Sequence, residues 1–185
     1  MARRANAAMR RALAELEAGI DGTEADMNFH KNQGFYNYHL YEGAVVLFLR
    51  DHTDLNNQLR RLDPGRAVKI RPGQTFSDWE GGSGFMEWDL NETFIAIREF
   101  SKPQPLLCLY TALKILEKWK KDLAAFFPHS RFRFLVNYQN DEGAICANMR
   151  FEKLRHGEPA WIDPAAIGEQ GVPEDDEIGI LVDEI

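Results

Sequence analysis

Pro105-Leu-Leu-Cys-Leu-Tyr-Thr-Ala-Leu-Lys-Ile-Leu-Glu-Lys-Trp-Lys-Lys-Asp-Leu-Ala-Ala-Phe-Phe127 is the stretch whose reading decides the fold. Leu106, Leu109, Leu113, Leu116, Trp119, Leu123 and Phe127 recur along it every three or four residues, the apolar stripe of a helix lying on a core. Pro103 and Pro105 stop the segment before it, because Pro fits the first turn of a helix but not its interior; Pro128 ends it. A helix this long and this one-sided needs a surface to lie on, and the flanking sequence supplies one.

Beyond the helix the period drops from about four to two. Phe132, Phe134, Val136 and Tyr138 alternate with Arg131, Arg133, Leu135 and Asn137. Asn140-Asp-Glu-Gly143 offers a turn, and Ile145, Ala147, Met149 and Phe151 alternate on the return. This pattern predicts an antiparallel hairpin with one buried face and one partly wet. A second hairpin is expected before the helix, from Phe85–Leu90 and Thr93–Phe100 through Asn91-Glu92. A third is expected from Tyr36–Tyr41 and Ala44–Leu49 through Glu42-Gly43. Met9, Leu13, Leu16 and Ile20 sit at helical spacing in an Ala-, Leu-, Arg- and Glu-rich stretch closed by Gly19 and Gly22, predicting an N-terminal helix over residues 3–19. Asp26–Gln33 reads as a loop, Asp54–Leu62 as a short capped helix and Ala67–Arg71 as a short strand.

Together these elements define an α+β fold: a mainly antiparallel sheet of about five to seven hairpin-built strands, with the helix at about 105–127 and the N-terminal helix packed on one face. The core domain is expected to span 1–157. Residues 158–185 form an acidic C-terminal segment, rich in Pro and Gly at first. Its Ile178, Ile180 and Val182 alternate as an added edge strand would, at 177–183.

Composition narrows the function classes. Of 29 acidic residues, seven fall within 168–185, where there is no Lys or Arg. The other 22 acids balance the 22 Lys and Arg, so the net charge of −7 belongs to the C-terminal segment. No clustered basic footprint for nucleic acid exists, and no run of about 18 apolar residues for a membrane span. The N-terminal stretch is basic but has no apolar signal core, so a cytoplasmic location is expected. Cys108 and Cys146 form no metal-type or disulfide-type pair and read as reduced core residues. No cofactor or metal is expected.

The strong catalytic motifs are absent: no H-E-x-x-H, no phosphate loop with Lys, no G-x-S-x-G elbow and no paired C-x-x-C. Gly81-Gly-Ser-Gly84 is not followed by Lys or a helix. Two sets of residues remain. In the aperiodic segment 72–84 and just beyond it, acids interleave with large aromatics; Phe76, Asp78, Trp79 and Glu80, with the acidic run Glu174, Asp175, Asp176 and Glu177, suit a surface that docks on a basic protein. The second set is His39, Glu87, Asp89 and Tyr138, candidate acid–base groups for a pocket over the sheet. Placing Glu87 and Asp89 on one strand would set them about 7 Å apart on a common face. The five histidines read as surface or structural groups, and Arg131, Arg133 and Arg150 as cross-strand partners of acids or as an anion site. The reading that results is a non-catalytic protein-binding module, an immunity- or antitoxin-like neutraliser or a regulator of a basic partner. The alternative is a small enzyme or ligand-binding protein with a His/carboxylate pocket.

Overall fold

A computed structural model describes residues 3–29, 36–41, 44–49, 68–69, 87, 91–101, 104–141, 145–157 and 178–185. The chain forms β1 (Arg4–Ala5), α1 (Ala7–Glu17), α2 (Thr23–Asn28), β2 (Tyr36–Tyr41), β3 (Ala44–Leu49), β4 (Val68–Lys69), β5 (Thr93–Ala96) and a 3₁₀ turn (Ile97–Glu99). These are followed by α3 (Pro105–Phe126), β6 (Arg131–Asn140), β7 (Ile145–Leu154) and β8 (Ile178–Glu184). A five-stranded antiparallel sheet runs β1-β8-β6-β7-β5, and a three-stranded one runs β3-β2-β4. This is an α+β architecture.

The helix quoted at the outset is α3. Pro105 stands at its first turn, and its last carbonyls are closed by the Phe127 N–H donating to the Leu123 carbonyl at 2.8 Å. Leu109, Leu116, Trp119, Leu123 and Phe127 of the stripe are buried, as are Leu107, Cys108, Ala112 and Ile115, whereas Leu106 and Leu113 are only half-buried. The buried face is broader than the stripe because α3 is covered on more than one side: it lies on β6 and β7, while α1 and α2 pack beside it. Beneath it, Phe132, Phe134 and Val136 of β6 and Ala147, Met149 and Phe151 of β7 form the apolar floor. Trp119 meets Phe151 edge-on at 5.3 Å between ring centroids.

The 131–140/145–154 hairpin has the expected strands, in register from Asn140 opposite Ile145 to Arg131 opposite Leu154. Tyr36–Tyr41 pairs with Ala44–Leu49 as expected, but these strands belong to the smaller sheet. Three expectations need correction. The hairpin assigned to Phe85–Leu90 and Thr93–Phe100 is not formed as such: β5 is shorter and pairs with β7, and Glu87 lies in a helical turn. The loop expected from Asp26 begins instead inside α2, six residues too short to show a period. Tertiary contacts hold α2: Tyr110 and Lys114, one turn apart on α3, both reach Asp26, the ammonium at 2.7 Å. A Cβ on Gly22 would stand 2.8 Å from the Tyr110 ring. The expected helix at 54–62 lies outside the described residues.

The third correction concerns the C-terminal segment. The strand expected at an edge, 177–183, is instead interior: β8 pairs with β6 on one side and with β1 on the other. Asn6 makes this possible. Its side-chain oxygen caps α1 by accepting from the Met9 N–H at 2.9 Å and accepts from the Ile180 N–H at 2.9 Å, while its amide donates to the Ile178 carbonyl at 2.7 Å. One side chain thus ends a strand, starts a helix and extends the ladder to β8. Gly179 lets α1 approach, since a Cβ there would meet the Met9 backbone at 3.2 Å.

Candidate functional site

Glu87 is fully buried, and four donors converge on it. One carboxylate oxygen accepts from the Val45 N–H at 2.8 Å and an Arg155 guanidinium nitrogen at 2.6 Å. The other accepts from the Lys153 N–H at 2.6 Å and the second Arg155 nitrogen at 2.9 Å. The Asn91 N–H donates to the Glu87 carbonyl at 2.9 Å, an i→i−4 bond, and the Asn91 amide donates to the Val45 carbonyl at 2.7 Å. Both backbone groups of Val45 in β3 are therefore satisfied by one helical turn, which in turn grips the end of β7. This is the joint between the two sheets. A carboxylate holding a bidentate guanidinium and two backbone N–H groups has no lone pair placed for proton transfer, so its chemistry here is structural.

Two members of the second candidate set, Glu87 and Tyr138, stand apart in the structure. Glu87 is helical, so the period-two argument that aligned it with Asp89 does not apply; Asp89 itself lies outside the described residues. Tyr138 pairs with Ala147 near the start of β7, whereas Glu87 binds at Lys153. Six residues of strand put the two about 20 Å apart. His39 occupies the β2 position opposite Val46 and Lys69, in the smaller sheet. Tyr138 is buried on the helix-covered face, and its hydroxyl has no hydrogen-bond partner there. Burial, then the neighbouring Cys108 and Glu15, push its phenol far above the ordinary range, so it stays neutral.

The face turned away from the helices carries the arginines singled out in the sequence, and register explains them. Arg133 sits opposite Glu152 on β7 and Glu184 on β8. Its guanidinium donates to one Glu184 oxygen from Nε at 2.9 Å and from Nη2 at 2.7 Å, and Arg131 takes the other oxygen at 3.0 Å. Arg150 donates to Glu92 at 2.7 Å, and the Asn148 amide donates to the same oxygen. Burial would raise the Glu92 carboxyl, but the bonds from Arg150 and Asn148 and the charge of Arg150 outweigh it and hold that carboxyl below its ordinary value. On the helix side, Asp183 pairs with Lys120 at 2.9 Å. The cross-strand reading of these arginines holds; the anion-site reading finds its charge already balanced.

A groove of about 250 Å³ opens beside the α3 N-terminus, lined by Asp21, Thr23, Glu24, Met27, Ser101, Gln104 and Leu107. Its carboxylates already accept backbone N–H groups, Asp21 from Thr23 and Glu24 from Ser101. Among the described residues no cluster of three or more His, Cys, Asp or Glu could hold a metal ion, and no helix is long and apolar enough to cross a membrane. Phe76, Asp78, Trp79, Glu80, Glu174, Asp175, Asp176 and Glu177 lie outside the described residues. Sequence reasoning missed Arg155, Asn91 and Asn6. Only Asn6, a helix-capping residue type just before an apolar-periodic run, carries a local signal. The fold and site thus define an α+β protein with a structural ion-pair joint. Compared with protein-family models, curated proteins and solved structures, the chain matches none of them significantly.

Proposed function

We propose that the protein is a non-catalytic module that binds another protein of basic surface, as an immunity- or antitoxin-like neutraliser or as a regulator. The observation that carries this reading is the placement of charge. Of the seven acids in 168–185, Asp183 and Glu184 belong to β8 and are consumed by Lys120, Arg131 and Arg133. Glu169, Glu174, Asp175, Asp176 and Glu177 precede that strand, and the rest of the chain is formally neutral. The excess is thus concentrated in the sequence just before an anchored strand, and charge so concentrated favours encounter with a cationic partner. Glu87, saturated by Arg155 and two backbone N–H groups, gives the pocket alternative no support.

The test is affinity capture with the full chain at low and moderate salt, beside a variant with Glu174→Gln, Asp175→Asn, Asp176→Asn and Glu177→Gln, and a second with Trp79→Ala and Glu80→Ala. A stoichiometric basic protein that elutes as salt rises and is lost with either variant supports the proposal. Capture indifferent to salt and to both variants overturns it.

A further inference from the structure

Charge along residues 3–28 is sorted by sign. Residues 3–11 hold Arg3, Arg4, Arg10 and Arg11 and no acid, whereas residues 12–28 hold Glu15, Glu17, Asp21, Glu24 and Asp26 and no Lys or Arg. Asp26 has its charge met on the spot by Lys114 at 2.7 Å. Glu15 and Glu17 are exposed in the last turn of α1, and among the described residues neither forms an ion pair. Asp21 accepts from the Thr23 N–H and Glu24 from the Ser101 N–H. Those donors are neutral, so the two bonds fix the carboxylates without cancelling their charge. From Glu15 to Glu24 no acid is more than four residues from the next, which keeps neighbours in the series within about 14 Å.

The acidic stretch ends in the groove of about 250 Å³ between α2 and the start of α3, where Asp21 and Glu24 are lining residues. The groove also has an apolar side. Met27, at 60% the most exposed large apolar side chain among the described residues, lines it together with the buried Leu107. A thioether on a surface adapts its shape to what packs on it. The α2 wall is fixed beforehand, because Asp26 is held by Tyr110 and Lys114 of α3. These features select an occupant. An anion would be repelled by the two carboxylates, and a purely apolar group would take them out of water without compensation. A Lys or Arg side chain has a long apolar stem and a charged head. The groove offers Met27 and Leu107 to the stem and Asp21 and Glu24 to the head.

We propose that the α2–α3 groove seats a Lys or Arg side chain of a partner protein, with Glu15 and Glu17 attracting the cations that flank it. It rests on the reading of the chain as a binder of basic partners and names the seat. The probe is a displayed library of short peptides selected on the full-length protein at low salt. The expected result is enrichment of sequences rich in Lys or Arg, whose binding falls at least about tenfold in Asp21→Asn with Glu24→Gln. Both replacements keep an oxygen for the backbone N–H, so melting temperature should not change. Binding also falls in Met27→Ser, and Glu15→Gln with Glu17→Gln flattens its dependence on salt. Met27 is exposed, so Met27→Ser decides the matter should the double variant disturb α2. Basic peptides held as tightly by Asp21→Asn with Glu24→Gln and by Met27→Ser as by the parent overturn the groove; their release by Trp79→Ala with Glu80→Ala then leaves the basic-partner reading standing. Selection of neutral or acidic sequences, or none, overturns both.

Discussion

The two faces of the β8-β6-β7 layer are one residue apart along the same strands, yet different forces hold them. Under α3 the floor is Phe132, Phe134, Val136, Ala147, Met149 and Phe151, all buried. On the opposite face Arg133 is matched in register to Glu152 and Glu184, and Arg150 lies against Glu92. The covered face is stabilised by volume, which is indifferent to pH and strengthens with excluded salts; the other by charge, which is sensitive to both. Burial does not follow the same divide: Leu135, Val182 and Glu152 on the second face are buried as well, so its ion pairs stand largely out of water.

The sharpest way to break the comparison is Trp119→Ala. It removes a fully buried ring from contact with Phe151 and is expected to cost about 3–5 kcal/mol, read by urea denaturation and unchanged between pH 7 and pH 5. A loss under about 1 kcal/mol would show that α3 is not the keel of this core. On the other face the effect is smaller but carries a sign in pH. Because Arg150 and Asn148 hold the Glu92 carboxyl below its ordinary value of 4.5, its stabilisation is fully present above that value and fades as pH falls through the lower folded value. Glu92→Gln is therefore expected to cost roughly 1 kcal/mol at pH 7, with the gap to the parent narrowing below pH 4.5. A gap that widens on acidification would refute the assignment. The smallest effect sharpens the comparison from within the covered face. The Tyr138 hydroxyl is buried without a hydrogen-bond partner, so Tyr138→Phe should be neutral or stabilising, within about 1 kcal/mol, whereas a partnered hydroxyl would give a clear loss.

How much of this could be read from the residues follows the range over which each signal acts. α3 and the 131–140/145–154 hairpin declare themselves by period, and because the turn at 140–145 sets the register, Arg133 opposite Glu152 was readable as a cross-strand pair. Glu184 opposite Arg133 was not, since no turn links β8 to β6. The edge position assigned to β8 failed because two residues, Arg4 and Ala5, decide it, and two residues show no period. Glu87 was misread as a strand residue because its partners lie 42, 66 and 68 residues away. Alternation near an apolar run looks like a strand until the tertiary contact that winds it into a helical turn is known.

The bond between Asn6 and Ile180 joins residues 174 positions apart. A ribosome delivers Asn6 long before Ile180, so in between β1 has no strand beside it and the near edge of β6 stands open. The α3–β6–β7 unit can assemble early from local contacts, but the sheet closes only once residues 178–184 have left the exit tunnel. During that interval the exposed β6 edge is where a nascent chain would pair with a neighbour or a chaperone would bind.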